Sequence, residues 1–469
     1  MSNKVNLHKL PTGVPGLDTL LAGGISKYSF IVLTGAPGSG KTTLAHQMMF
    51  SLASEQRKAL FFTILGEPPL KMLRFQQQYS FFNPALVGPA IKYVNLADDL
   101  QRSGFEGVLQ RILAETQAFQ PEFIFVDSFK SVVQATNGSD TAMASLQYFV
   151  QQLGVQLSTW QATTFLIGEY ADSTQEENPI FTVADGVIHL CQDLDENAIV
   201  RKVRVVKMRG SPHMTGLHSF RITDAGLHVY PRLLNGGILE ENTGTDSFRN
   251  ADKRLSTGNP VLDSMMHGGV PVGYSVVVGG PSGVGKTVLA TAFLRAGADA
   301  GEKGIIASFE NRFFRASNAP LRKLIDAGHV HAVHPMALDL SIEEVVTQLA
   351  EAAEQTGATR LVIDSLTALE LILAPQFRAN FQESLFRMLS SLHARGVTVM
   401  LIRNLADGDQ IFTPSSFIVD GIISLRYVEK DGHLRKLISI PKLRGSAHSS
   451  EVRVFDTLED GIDIGGQLQ

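Results

Sequence analysis

Two stretches of this sequence carry the residue types and spacing of a phosphate-binding loop. Gly35-Ala36-Pro37-Gly38-Ser39-Gly40-Lys41-Thr42 and Gly280-Pro281-Ser282-Gly283-Val284-Gly285-Lys286-Thr287 both satisfy G-x-x-x-x-G-K-[ST] without a mismatch. Glycines let the backbone turn its N–H groups inward, and a following helix adds the positive end of its dipole. The lysine then reaches the outer phosphates of a nucleoside triphosphate, while the hydroxyls of Thr42 and Thr287 ligate Mg2+. The expected nucleotide contacts are Gly35, Gly38, Ser39, Gly40, Lys41, Thr42 and Thr43 in one loop. In the other they are Gly280, Ser282, Gly283, Val284, Gly285, Lys286, Thr287 and Val288.

Further groups recur in the same order behind each loop. Phe123-Ile124-Phe125-Val126-Asp127-Ser128 and Arg360-Leu361-Val362-Ile363-Asp364-Ser365 each end a mostly apolar strand on an aspartate. Asp127 and Asp364 belong at the carboxyl edge of a sheet beside the loop, where a carboxylate holds Mg2+ directly or through water. The plainer role, a turn or helix-capping acid, does not call for pairing with an upstream loop twice. After the strand that follows each loop come Gly66-Glu67-Pro68-Pro69 and Phe309-Glu310-Asn311. Glu67 and Glu310 are the candidates to orient or deprotonate an attacking water, with a solvated loop glutamate as the competing reading. Glu169 and Asn404, which close the next repeated strand, are candidate sensors of the γ-phosphate or water.

Lys207-Met208-Arg209-Gly210-Ser211-Pro212-His213 returns as Lys442-Leu443-Arg444-Gly445-Ser446-Ala447-His448. Alternation along a strand puts Lys207 with Arg209, and Lys442 with Arg444, on one face. Such a pair could stabilise transition-state charge on a neighbouring subunit's nucleotide, as an arginine finger does. A basic strand end on a solvated surface is the bland alternative; duplication of the whole motif weighs against it.

These residues need elements to hold them. Ser29 to Thr34 reads as a buried strand, Thr43 to Ser54 as a helix, Ala59 to Leu65 as a strand, Phe105 to Ala118 as an amphipathic helix, and Thr163 to Ile167 as another strand. That rhythm predicts an α/β fold with parallel strands covered by helices on both faces. Val200 to Met208 and Gly226 to Pro231 lie closer together and predict an antiparallel addition. Thr12-Gly13-Val14-Pro15-Gly16-Leu17-Asp18 also returns, as Thr257-Gly258-Asn259-Pro260-Val261-Leu262-Asp263, so the whole chain reads as a duplicated domain. The expected division is a first domain over 1–235, a polar linker over 236–253 and a second domain over 254–469.

Composition narrows the classes. At 469 residues, with 44% hydrophobic and 19% charged residues, the sequence is that of a globular protein. Lys+Arg 41 against Asp+Glu 46 gives a net charge of -5, and there is no Lys/Arg run to track a nucleic-acid backbone. Cys191, the only cysteine, cannot form an internal disulfide and reads as a buried thiol in a reducing cytoplasm. No apolar run approaches the ~20 residues of a membrane span, and the N-terminus lacks the apolar core of a signal peptide.

With the T-G-x-x-x-L-D entry, both phosphate loops, both Asp-Ser pairs and the doubled K-x-R-G-S-x-H in place, the chain resembles the KaiC family along nearly its whole length. The resemblance implies two tandem RecA-like P-loop ATPase domains that bind ATP and Mg2+ at subunit interfaces of a homohexamer with two stacked rings. It also implies trans action of the Lys and Arg of K-x-R-G, slow ATP hydrolysis in the first ring, Ser/Thr autokinase chemistry in the second, and KaiB-like or other signalling partners. Three departures bear on a clock role. Each half keeps at most one of the paired glutamates that family members with clock activity carry. The phosphorylatable pair aligns with Ser416-Phe417, leaving Ser416 alone as an acceptor. The sequence ends at Gln469 without the long tail that binds the clock's activator. A slow ATPase in signalling or clock-like regulation is therefore expected, with a two-site phosphorylation oscillator disfavoured. The alternatives are a nucleic-acid-dependent RecA-like motor and a scaffold that ATP merely assembles.

Overall fold

Short apolar runs build the strands of both halves, since a strand buried on both faces needs no polar alternation. The structure is a computed structural model, and it describes residues 8–64, 69–127, 148–149, 151–156, 160–169, 179–232, 253–309, 318–335, 338–405, 414–430, 432–458 and 461–467. The chain divides into two units, Met1–Arg232 and Leu233–Gln469.

In the first unit the main sheet contains β1 (Phe30–Gly35), β2 (Ala59–Thr63), β3 (Ile91–Asn95), β4 (Phe123–Asp127), β5 (Thr163–Gly168), β6 (Gly186–Asp195), β7 (Ala198–Met208), β8 (His218–Thr223) and β9 (Gly226–Tyr230). In the second it contains β10 (Ser275–Gly280), β11 (Gly304–Ser308), β12 (Val330–Val333), β13 (Arg360–Asp364), β14 (Thr398–Asn404), β15 (Gly421–Lys430), β16 (His433–Leu443), β17 (Arg453–Leu458) and β18 (Gly461–Gln467). Across the first sheet the order is β3-β2-β4-β5-β1-β6-β7-β8-β9, and across the second it is β12-β11-β13-β14-β10-β15-β16-β17-β18. The two orders are the same permutation. From β3 to β6, and from β12 to β15, every pairing is parallel; the remaining pairings are antiparallel.

Alternate residues of each parallel strand face opposite layers. In the first unit Ile31, Leu33, Phe61, Phe125 and Phe165 pack on one side with Leu44, Met48 and Met49 of α1 (Lys41–Leu52). Val32, Leu60, Phe62, Ile124 and Leu166 pack on the other with Val108 and Ile112 of α2 (Ala97–Phe119). In the second unit Val276, Val278, Ile306, Val362 and Met400 meet α3 (Lys286–Asp299). Val277, Ile305, Leu361, Ile363 and Leu401 meet α4 (Ile342–Thr356) and α5 (Phe381–Ala394). Both units are therefore α/β layers, as the sequence rhythm predicts, and of the RecA-like kind that the family resemblance implies.

The boundaries differ from expectation where glycine or sheet geometry intervenes. Helix α1 starts at Lys41, because Gly40 takes the left-handed conformation (φ 100°) that launches it. Residues 105–118, expected as one helix, are the later part of α2, which is broken at Gly104 (φ 61°, ψ -149°). Cys191 is only half-buried, since β6 runs past its last parallel pair, Gly35 with Leu190, into a ribbon with β7.

One buried group distinguishes the first unit. His46 on α1 is fully buried, and its Nδ1–H donates to the Thr42 carbonyl at 2.7 Å. Its ring lies 4.4 Å from that of Phe61 and 6.0 Å from that of Tyr93. In the second unit Thr291 makes the corresponding bond, from its hydroxyl to the Thr287 carbonyl at 2.8 Å. Burial pushes the His46 imidazole down from 6.5 to about 4, with the Thr42 carbonyl working against that shift. Above about pH 6.5 the imidazole is neutral whether the unit is folded or unfolded; below it the unfolded chain takes up the proton first. Stability is therefore lost as pH falls from about 6.5 towards about 4, by about 3 kcal/mol at most. Urea unfolding followed through Trp160, the only tryptophan, is expected to show the first unit weaker by about 2 kcal/mol at pH ~5 than at pH ~7.5. His46→Thr, which copies the second unit, is expected to flatten that dependence. Equal slopes in the two proteins would refute the assignment.

Candidate nucleotide-binding sites

Each phosphate loop leaves the central strand of its sheet at the carboxyl edge, where strand order changes direction and a crevice opens. The approach is tight. A Cβ on Gly35 would lie 2.2 Å from the Leu190 carbonyl oxygen, and one on Gly280 would lie 2.3 Å from that of Leu425. Gly38 and Gly283 (φ 77° and 78°) and Gly40 and Gly285 (φ 100° and 119°) then turn the backbone into α1 and α3. Ser39 is fully buried, and its Oγ has no hydrogen-bond partner among the described residues. Val284, also buried, stands at the corresponding place in the second loop, whereas Ser282 aligns with Pro37 and is exposed. Thr43 and Val288 lie in the first turn of their helices.

Lys41 and Lys286 are both buried and fold back along their loops. Lys41 Nζ donates to the Ala36 carbonyl at 2.9 Å. Lys286 Nζ donates to the carbonyls of Gly280 at 2.8 Å and Pro281 at 2.7 Å. Burial lowers the Lys286 ammonium below the ordinary lysine value, and the Asp364 carboxylate opposes that shift. The Thr42 hydroxyl donates to Asp127 Oδ2 at 2.8 Å, and the Thr287 hydroxyl to Asp364 Oδ2 at 2.9 Å. The hydroxyl and carboxylate in each unit are hard oxygen donors held together at the loop. Mg2+ favours one or two carboxylates completed by phosphate and water, so this donor set fits it. Among the described residues no group of three or more His, Cys, Asp or Glu side chains could hold a metal by itself. Glu67 and Glu310 lie outside the described residues. Glu169 follows β5, and Asn404 ends β14 in register with Gly280.

The Lys-x-Arg pairs are at the other edge. Lys207 is in β7, paired with Val187 near the start of β6, and Arg209 follows the strand. Arg209 is level with Phe30 and the loop begins at Gly35, so roughly 16 Å of strand separates them. Lys442 and Arg444 repeat this placement, with Arg444 beside Asp420 and Ser275. Lys207 Nζ donates to the carbonyls of Phe181 at 2.9 Å and Thr182 at 3.3 Å, and Arg209 Nη2 to that of Thr182 at 3.0 Å. Lys442 Nζ donates to the carbonyls of Ser416 and Val419, both at 2.6 Å, and Arg444 Nη2 to that of Phe417. Burial, then the adjacent Arg209, lowers the Lys207 ammonium below its ordinary value; burial and Arg444 do the same to Lys442. Beside the first pair opens a cavity of about 500 Å³, lined by Phe181, Arg204, His213, Thr215 and Leu217 among others.

Sequence reasoning missed what braces the loops from the antiparallel side. Gln47 on α1 both accepts from the Leu227 N–H at 2.7 Å and donates to the Leu227 carbonyl at 3.1 Å. Ile222 of β8 sits against Gly40, and Thr457 of β17 against Gly285. A buried glutamine in an apolar helix after the loop was the only local signal of this bracing.

A glycine loop between a central parallel strand and its helix, facing an aspartate on the next strand but one, defines a P-loop ATPase domain of the RecA-like class, here present twice. The family model described as "ATPase: KaiC" matches residues 10–233 and again 255–469. The chain belongs to the KaiC family, whose members are ATP-binding P-loop ATPases. It is 26% identical to "Circadian clock protein KaiC3" of Synechocystis sp., over 98% of this chain and 92% of the relative. It is 25% identical to "Circadian clock oscillator protein KaiC" of Picosynechococcus sp., over 98% and 90% of the two chains. The protein of that name from Prochlorococcus marinus is also 25% identical, over 99% and 94%. Among the described residues no helix is long and apolar enough to cross a membrane.

The close approach at Gly35 yields a direct expectation. Gly35→Ala forces the backbones of β1 and β6 apart, at a cost of about 1–3 kcal/mol to the first unit. Calorimetric titration with ATP is expected to show the first-unit equivalent weakened and the second retained. Undiminished binding by both units would show that the strands can separate freely.

Proposed function

We propose that the protein is a slow ATP hydrolase that works as a ring-shaped homohexamer, with each ATP bound by one chain and completed by its neighbour. The observation that carries this reading is the placement of phosphate loop and Lys-x-Arg at opposite edges of each sheet. A Lys-x-Arg roughly 16 Å of strand from its own loop cannot touch the phosphates held there. A second chain meeting the first edge to edge brings the two together, and repeating that head-to-tail contact closes a ring.

In this reading the loop amides, with Lys41 or Lys286, bind the triphosphate. Thr42 with Asp127, and Thr287 with Asp364, hold Mg2+, which offsets the charge of the outer phosphates when bound. Glu67 and Glu310 orient the attacking water. Lys207 with Arg209, and Lys442 with Arg444, meet the γ-phosphate of the neighbouring chain and oppose the charge that develops there. Burial first, and the adjacent arginine second, disfavour the charged form of each lysine, and a phosphate arriving beside the pair favours that form again. The names of the relatives, a circadian clock protein and clock oscillator proteins, support a regulatory role; in this reading KaiB-like or other signalling proteins are the partners and the cytoplasm is the compartment. Serine autokinase chemistry at Ser416 is the weaker part of the reading: Ser416 is only 7% exposed, so transfer there needs the 414–417 turn to open. A net charge of -5 counts against nucleic acid as the main partner.

Two measurements test this. Size determined with and without Mg·ATP, with turnover recorded on the same samples, is expected to show ring assembly and ATP hydrolysis together. A persistent monomer would remove the interface model, while assembly with no turnover would leave a scaffold. Arg209→Ala is expected to lower first-unit turnover about 100-fold. Mixing it with a Lys41→Ala chain is expected to restore part of that turnover, because an intact loop and an intact arginine then meet at some interfaces. No recovery in proven mixed rings would place the arginine outside the reaction.

A further inference from the structure

Residues 179–185 and 414–420 align without a gap, Pro179 with Pro414 and Asp185 with Asp420. Both segments hold the Lys-x-Arg of their unit by backbone carbonyls. Arg209 donates to the Thr182 carbonyl where Arg444 donates to that of Phe417, and Lys207 donates to the Phe181 carbonyl where Lys442 donates to that of Ser416. The side chains on this shared scaffold are exchanged. In the second unit the hydroxyl residue, Ser416, is buried, and the residue presented outward is Phe417, which is 74% exposed. In the first unit the outward position is Thr182, which is exposed, and Phe181 is partly buried beside it.

We infer that Thr182 of the first unit is a phosphoryl acceptor for ATP bound by the neighbouring chain, and that the second unit presents no accessible acceptor at the equivalent place. This rests on the reading above, in which Lys207 and Arg209 face the neighbour's γ-phosphate. Whatever phosphate meets the Arg209 guanidinium also lies beside the residue whose carbonyl anchors it, and that residue carries a hydroxyl. A hydroxyl fixed to the backbone there competes with water through proximity alone. In the step, Thr182 Oγ forms a bond to the γ-phosphorus, and the bond from that phosphorus to the β,γ-bridging oxygen breaks. ADP leaves with the electron pair, and the hydroxyl proton passes to solvent at this exposed edge. The products are phosphothreonine and ADP. In the second unit a phenyl ring can do none of this.

The test is incubation of the full chain with Mg2+ and γ-labelled ATP, followed by peptide mapping and a parallel assay of ATP turnover. Label is expected on the peptide containing Thr182, absent from Thr182→Val and present in Thr182→Ser. Ser416→Ala is expected to keep the label, and Phe417→Thr to add a second labelled site. An unlabelled Thr182 peptide while turnover still depends on Arg209 would overturn the acceptor and leave the interface site standing. Turnover indifferent to Arg209→Ala in assembled rings would remove both. Label on Ser416 alone would reverse the assignment of the acceptor to the first unit. Thr182→Ser keeps the hydroxyl and the fold, so its behaviour separates lost chemistry from lost structure.

Discussion

The geometry of each unit depends on one close contact, between the glycine that ends the central strand and the carbonyl of the strand beside it. With Gly35 and Gly280 there, β1 can stay paired with β6, and β10 with β15, up to the last residue before the loop. The chain then leaves the sheet abruptly, and the next two residues with left-handed backbones are again glycines, Gly38 and Gly40 in one loop and Gly283 and Gly285 in the other. A side chain at Gly35 or Gly280 would splay the strands, and the loop that follows would lose the platform that aims its N–H groups inward. Phosphate binding is thus secured by strand spacing before any charged residue contributes.

The opposite placement of Lys-x-Arg follows from strand direction. Strand β6 runs parallel to β1, and β7 returns antiparallel to β6, so residues after β7 must emerge at the amino edge of the parallel strands. The register shift between Val187 and Ile188 on β6, repeated between Ile422 and Ser424 on β15, falls where the partner strands reach Val206 and Pro441. A proline is tolerated in a paired strand at such a bulge, and the bulge re-aims the lysine that follows it. A chain with phosphate-binding groups at one edge and cations at the other has unlike ends. The head-to-tail contact proposed above uses that difference.

Much of this was legible in the sequence because motif and element coincide there. The apolar runs before Gly35, Gly280, Asp127 and Asp364 are strands, the loops follow them, and the duplication gives two independent statements of one plan. The antiparallel half was legible only as a tendency. Its role depends on contacts far apart in sequence, such as Gln47 with Leu227, or Arg254 Nη2 with the Ser446 hydroxyl at 2.8 Å. Gly104 divided a helix that periodicity alone made continuous from 105. Ser416 illustrates another limit: alignment identifies a hydroxyl, but burial decides which side chain of a turn is presented, and the turn here presents Phe417.

The two units have diverged where the scaffold permits divergence. Bonds to backbone carbonyls tie a cation to a segment without regard to the side chains that segment carries. Thr182 and Phe417 can therefore differ completely while Arg209 and Arg444 remain held in the same way. The same logic applies behind the loop, where the carbonyls of Thr42 and Thr287 accept from an imidazole in one unit and a hydroxyl in the other. Thr291 is further tied to Asn318, whose amide donates to it at 2.8 Å, whereas His46 fills its space with a ring against Phe61 and Tyr93. Duplication fixed the backbone frame twice, and carbonyl anchoring left the side chains on it free to give each site its own chemistry. A difference in reaction between the units would then need no difference in fold.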